Sequence, residues 1–179
     1  MLIERPPLLR LGAEEAFDAY RKEFARLYQS DSVFDVLGRL VEFPQSAARH
    51  VCFKSADEDS YRHWPREVWS QERAERIPWI LCALQAPTEI RPDQNHPDTR
   101  QVFLLTIPAD PQSAQPQERY AVYVETIEGN TVVFVTGFDM RETYWVDARN
   151  CGPRVLPAPK KPKAIKGKKR AGKRRGQGS

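Results

Sequence analysis

Gly129-Asn130 stands between two β-rich runs, Arg119 to Ile127 (RYAVYVETI) and Thr131 to Phe138 (TVVFVTGF). Both residues tolerate the positive φ angles of a tight connection, so the pair closes an antiparallel hairpin. A third run, Arg100 to Pro108 (RQVFLLTIP), precedes them across the polar stretch DPQSAQPQ. Three such runs in succession form a meander, and a meander of this size needs a covering layer to bury its apolar face. TYWV, Thr143 to Val146, reads as an added edge strand.

The covering layer is sought upstream. Ala16, Phe17, Tyr20, Phe24, Leu27 and Tyr28 recur at helical spacing. Asp31 or Ser32 reads as the N-cap of a second helix, Val33 to Val41, which gives an N-terminal helical pair. RHVCFKS, Arg49 to Ser55, reads as a short strand. A helix is expected from Pro65 to Glu75, because proline suits a first helical turn. Pro78 lacks an N–H and would disrupt a continuous helix by ~3 kcal/mol. One helix therefore ends near Arg76 and another begins with Pro78 in its first turn, closed by Pro87. Trp79, Ile80, Leu84 and Ile90 are expected core. The fold class that follows is α+β: a small antiparallel sheet of three to five strands packed on helices grouped on one face.

Charge divides the chain. From Lys160 onward there are ten basic residues and no acid; residues 1–159 hold 18 basic against 24 acidic side chains, a net of −6. The tail from residue 153, rich in Pro, Lys, Gly and Arg, cannot bury a core and is expected to be disordered. The expected divisions are a helical region over 1–46, a main domain over 47–152 and the basic tail over 153–179. Three widely spaced cysteines give neither a disulfide framework nor a CxxC pair. His50 and Cys52 have no matching second pair, so no metal and no cofactor are expected. No apolar run approaches the ~20 residues of a membrane span, and MLIERPPLLRLG is broken by Pro and charge. A cytoplasmic protein is expected.

The order H-x-x-F (His50, Phe53), R-x-x-R-x-P-W-I with a later L-x-x-P-x-E-I (Arg73, Arg76, Pro78, Trp79, Ile80, Leu84, Pro87, Glu89, Ile90), then F-V-T-G-F (Phe134 to Phe138) resembles the phage-associated barnase/EndoU/colicin/RelE-like nucleases, the BECR grouping. The likeness runs from about Arg49 to Val146. It implies a BECR-like sheet with the site on its open face and metal-independent RNA cleavage by toxins or effectors.

Such cleavage needs a base for the 2′-OH, an acid for the departing 5′-oxygen, and donors or cations on the phosphorane. His50 is the candidate acid–base residue, since an imidazole titrates near neutrality; His63 and His96 are alternatives. Arg73 and Arg76, three apart on one helix face, are candidate phosphate cations. Their other reading is solvated charge beside Glu72 and Glu75. Thr136 is a candidate donor, or an ordinary strand threonine. Lys54 is a further phosphate candidate, and Tyr144 or Trp145 could stack on a base or simply pack. Glu89 reads as a partner of Arg91. The tail, including Lys168, Lys169 and Arg170, is a candidate tether for tRNA, rRNA or mRNA; a solubility tail or a targeting signal are the other readings. An active enzyme of this kind needs restraint, so a neutralising antitoxin or immunity protein is the expected protein partner. The alternatives are a non-catalytic RNA- or partner-binding module, and an antitoxin-like protein acting through its N-terminal helices.

Overall fold

The computed structural model describes residues 5–11, 16–55, 66–109, 117–140, 142–150 and 152. The basic tail, with Lys168, Lys169 and Arg170, lies outside these residues, as do His63 and the acidic stretch ADEDS. The described chain is α+β, with five helices, a mixed six-stranded sheet and a separate two-stranded sheet. No described helix is long and apolar enough to cross a membrane.

Helix α1 (Ala16–Tyr28) buries Tyr20, Phe24 and Tyr28, a strict four-residue stripe. The expected second helix is not formed. Val33–Phe34 (β1) and Leu40–Glu42 (β2) make an antiparallel hairpin instead. Asp35 decides this: its carboxylate accepts from the backbone N–H of Leu37 and Arg39 and from Arg39 Nε at 2.8 Å. An aspartate that satisfies its own downstream N–H groups builds a turn in place of a helix. Gly38, at φ 77°, completes the reversal.

The expected strand from Arg49 also begins too early. Ala47–Cys52 is helix α2, which buries Ala47, Ala48, Val51 and Cys52 and leaves Arg49 and His50 exposed. That apolar spacing is helical; it is visible only when the window opens two residues before Arg49. Phe53–Ser55 (β3) then pairs with Arg66–Trp69 (β4), where a helix was expected from Pro65. Ser70 caps the short helix α3 (Gln71–Glu75) by accepting from Arg73 N. Arg76 is the hinge residue, and α4 (Ile77–Gln85) follows with Pro78 in its first turn, as the proline requires. Tyr28 donates to the Ile77 carbonyl at 2.6 Å, tying α1 to the start of α4.

Strands Glu89–Pro92 (β5), Arg100–Ile107 (β6), Glu118–Thr126 (β7) and Thr131–Asp139 (β8) form an antiparallel meander, with Gly129 at φ 57° in the last turn. The full order is β1-β2-β8-β7-β6-β5, and β2 joins β8 in parallel. The sheet is thus larger than expected and mixed, and residues before 46 supply two of its strands. Trp79, Ile80, Leu84 and Ile90 are all fully buried in the core shared by α1, α2, α4 and the sheet. The expected edge strand TYWV is instead part of helix α5 (Glu142–Asn150), which covers the opposite face against Val102, Leu104 and Ala121. Helices therefore lie on both faces.

Strand β8 carries one extra residue. Phe134 stands opposite Val124, yet Thr136 stands opposite Tyr123, so the register shifts around Val135. A bulge of this kind reverses the facing of everything beyond it. Before it, Val132 and Phe134 enter the α1/α2/α4 core. Beyond it, Gly137 and Asp139 pair with Val122 and Tyr120 and inherit that face, while Thr136 and Phe138 pair with Tyr123 and Ala121 on the α5 face.

Gly137 is required by this crossing. A Cβ added there would lie 2.9 Å from the buried Tyr120 hydroxyl and 3.5 Å from the Ala121 carbonyl. Gly137→Ala should lower stability by about 1–3 kcal/mol, the usual range for overpacking. Thermal denaturation would read this, and Tyr120→Phe in the same chain should restore most of the loss by removing the clashing oxygen. A Gly137→Ala chain as stable as the parent would show that the contact is not tight.

A candidate acid–base centre beside the strand bulge

Three charged elements meet where β8 ends. Arg76, at the α3–α4 hinge, reaches Asp139 Oδ1 from Nε at 3.0 Å, Glu118 Oε1 from Nη2 at 3.3 Å and Glu72 Oε1 from Nη1 at 3.2 Å. The Asp139 contact is ionic without being aligned as a hydrogen bond. Arg76 Nη1 also donates to the Glu72 carbonyl, and its guanidinium lies 5.1 Å from the Trp79 ring centre. Arg5 pairs with Glu118 at 2.9 Å.

The Pro78 break is what makes this possible. Helix α3 ends at Glu75, so the Arg76 backbone leaves helical geometry (φ −91°, ψ 11°) and the side chain turns under the sheet, where only 11% of it remains exposed. Arg73, one helical turn earlier, donates from Nη1 to the Phe53 carbonyl at 2.9 Å and lies 5.6 Å from the Phe138 ring centre. β2 pairs with β8 only as far as Val133, and Arg73 meets the strand beyond that point.

Asp139 is the group of chemical interest. Its side chain keeps 35% of its surface exposed, so solvent reaches it. Burial of the remainder is the largest influence on its acidity, and Glu72 and Glu118 add like charge. Arg76 and Arg73 oppose these effects without cancelling them, and the carboxyl is raised to about 6. Such a group gives or takes a proton close to neutrality. Beside it Tyr120 is fully buried, and its hydroxyl has no hydrogen-bond partner among the described residues. Burial and the Asp139 charge push the Tyr120 hydroxyl well above its ordinary range, which keeps it protonated.

Set against the sequence expectations, Arg73 and Arg76 do come together, around a carboxylate the sequence reading did not select. His50 is exposed on α2, three residues before the Phe53 carbonyl that anchors Arg73. Lys54 lies on β3 opposite Val68. Thr136 is buried on the face opposite Asp139, because the two stand three residues apart on the same uninterrupted stretch of strand. Tyr144 and Trp145 pack on α5 at that same opposite face, and Trp145 is almost wholly buried. His96 is exposed in the β5–β6 connection. Glu89 pairs with Arg91, and also with Arg149. Among the described residues no group of three or more His, Cys, Asp or Glu could hold a metal ion.

Asp139, Glu118 and Tyr120 were missed. The available signal was an acid directly after FVTGF, at the end of the strand whose partner begins Glu118-Arg119-Tyr120. Comparison with protein-family models, curated proteins and solved structures returns no match.

Proposed function

We propose that the protein is a metal-independent endoribonuclease with Asp139 at its catalytic centre. The observation that carries this reading is a solvent-reachable carboxyl raised to about 6, 3.0 Å from an arginine and flanked by a second. Above that pH the Asp139 carboxylate takes the 2′-OH proton of the substrate ribose. The 2′-oxygen attacks phosphorus, the P–O2′ bond forms and the P–O5′ bond breaks. Arg73 meets the charge on the phosphorane, and Arg76 holds the carboxylate in place. The exposed His50, entering the step as imidazolium, gives its proton to the departing 5′-oxygen and is left as neutral imidazole. The products are a 2′,3′-cyclic phosphate and a 5′-hydroxyl.

The acidic body repels RNA, so attraction falls to the tail, whose affinity for phosphates weakens steeply with salt. Incubating the full chain with RNA in EDTA should give cyclic phosphate and 5′-hydroxyl ends. Cutting that waits for added metal, or that leaves a 3′-hydroxyl, overturns the mechanism. A second reading draws on Arg76, which already has three carboxylate partners. It makes the cluster a structural ion network in a non-catalytic RNA-binding module, and it predicts salt-sensitive binding with the RNA intact.

A further inference from the structure

On the sheet face opposite Asp139, between α5 and strands β5, β6 and β7, lies a cavity of about 630 Å³. Its wall includes Glu89, Arg91, Thr106, Arg119, Trp145 and Arg149. No role in RNA cleavage has been given to it.

The wall is held in place from two directions. Glu89 is almost fully buried, and Arg91 donates to its Oε2 from Nε at 3.1 Å and from Nη2 at 2.9 Å. Arg149, from α5, pairs its Nη2 with Glu89 Oε1 at 2.8 Å. Arg91 Nη1 also donates to the Gly152 carbonyl at 2.8 Å. One carboxylate thus fixes two guanidinium groups from separate elements. Arg119 donates from Nη2 to Gln117 at 3.1 Å, and its guanidinium lies 5.8 Å from the Trp145 ring centre.

Three arginines against one glutamate leave the wall with two net positive charges. A phosphodiester carries one negative charge, whereas a phosphomonoester carries about 1.5 to 2 near neutral pH. The monoester is the better electrostatic match, and guanidinium forks suit its oxygens. The space exceeds what a phosphate fills and falls in the roughly 300–1,000 Å³ range of small-molecule sites. The Arg119 guanidinium, backed by the almost wholly buried Trp145 ring, adds a flat cationic surface on which a base can stack. We infer that this cavity binds a small phosphomonoester bearing a planar group, of the nucleoside 5′-monophosphate class, with its phosphate at Arg149 and Arg91 and its ring beside Arg119 and Trp145.

Calorimetric titration of the full chain with adenosine 5′-monophosphate tests this, with adenosine and inorganic phosphate as the separate halves. The monophosphate should bind at least tenfold tighter than either half. Arg149→Gln should weaken it by about 10-fold or more, the loss of a charge-assisted hydrogen bond, and Arg119→Gln by about threefold or more, the loss of a stacking cation. Arg149 is half exposed, so its replacement leaves the core intact. The basic tail attracts anions regardless of these substitutions, and the variants therefore separate it from the cavity. Asp139→Asn should bind as the parent does, which detaches this inference from the cleavage reading. Equal affinity for phosphate and the monophosphate, or unchanged binding in both arginine variants, overturns the assignment.

Discussion

Asp139→Asn is expected to slow RNA cleavage by about 10²–10⁴-fold, the usual contribution of one positioned acid–base group. The amide keeps the shape and polarity of the side chain but cannot take a proton. In the parent chain the rate should rise as pH climbs through about 6, where the carboxyl becomes ionised, and fall again once His50 has lost the proton it must give. In the variant the rising inflection should vanish and not merely shift. A rate profile that keeps its step near 6 after the substitution removes Asp139 from the reaction. Folding stability carries a matching signature. The folded carboxyl is raised from 3.8 to about 6, so between these values the folded chain holds a proton that the unfolded chain has released. Asp139 therefore disfavours folding above about pH 6, and that penalty fades as pH falls toward 4. Denaturant titrations across this window should show the slope in the parent and its loss in Asp139→Asn. The third of the side chain left in solvent makes the amplitude smaller than full burial would give.

The meander and its last turn could be read from the chain because their signals are local. Gly129-Asn130 and the alternating runs beside it need no distant partner to declare a hairpin. Pro78 is similar, since its missing N–H acts within one turn of helix. The misreadings share a cause: a short segment with two local solutions, decided elsewhere. Val33 to Val41 has enough apolar residues for a helix, but Asp35 turns the chain and β8 offers Leu40, Val41 and Glu42 a parallel partner at Thr131 to Val133. That partner lies about ninety residues away, and nothing near Val41 announces it. TYWV has strand composition, yet Trp145 and Ala148, three apart, close over Val102, Leu104 and Ala121 as a helix.

The site was half visible for a related reason. Arg73 and Arg76 are legible as a pair, and the proline marks where the second leaves its helix. Their carboxylate is hidden by one residue of register. Near the turn Thr126 faces Val132, and counting outward without interruption sets Asp139 opposite Arg119, on the α5 face. The extra residue near Val135 moves Asp139 opposite Tyr120 instead, onto the face where Arg76 lies. A bulge has no reliable sequence mark, so the residue it redirects is the one a pattern-based reading loses. The same slip carries Thr136 onto the α5 face.

Arg76→Ala is expected to cost about 3–5 kcal/mol of folding stability, the range for removing one member of a buried ion pair. Three carboxylates face this guanidinium, and they are not equivalent. Glu72 keeps 74% of its side chain in solvent and loses little when its partner goes. Glu118 and Asp139 keep 18% and 35%, so without Arg76 they repel each other in a space only partly open to solvent. Arg5 still reaches Glu118, which leaves Asp139 as the more exposed to the loss. Each kcal/mol moves the melting temperature of a chain this size by roughly 2–4 °C, so a fall of about 6–20 °C should be seen. The cause is separable from lost packing on Trp79. Arg76→Met retains an apolar stem over that ring and should still be strongly destabilised while both acids remain. Adding Glu118→Gln and Asp139→Asn to Arg76→Met should recover most of the loss, because the stranded charges are gone. If Arg76→Met alone melts within about 2 °C of the parent, the ion cluster is not what holds the α3–α4 hinge against the sheet, and Asp139 loses the anchor on which its proton chemistry depends.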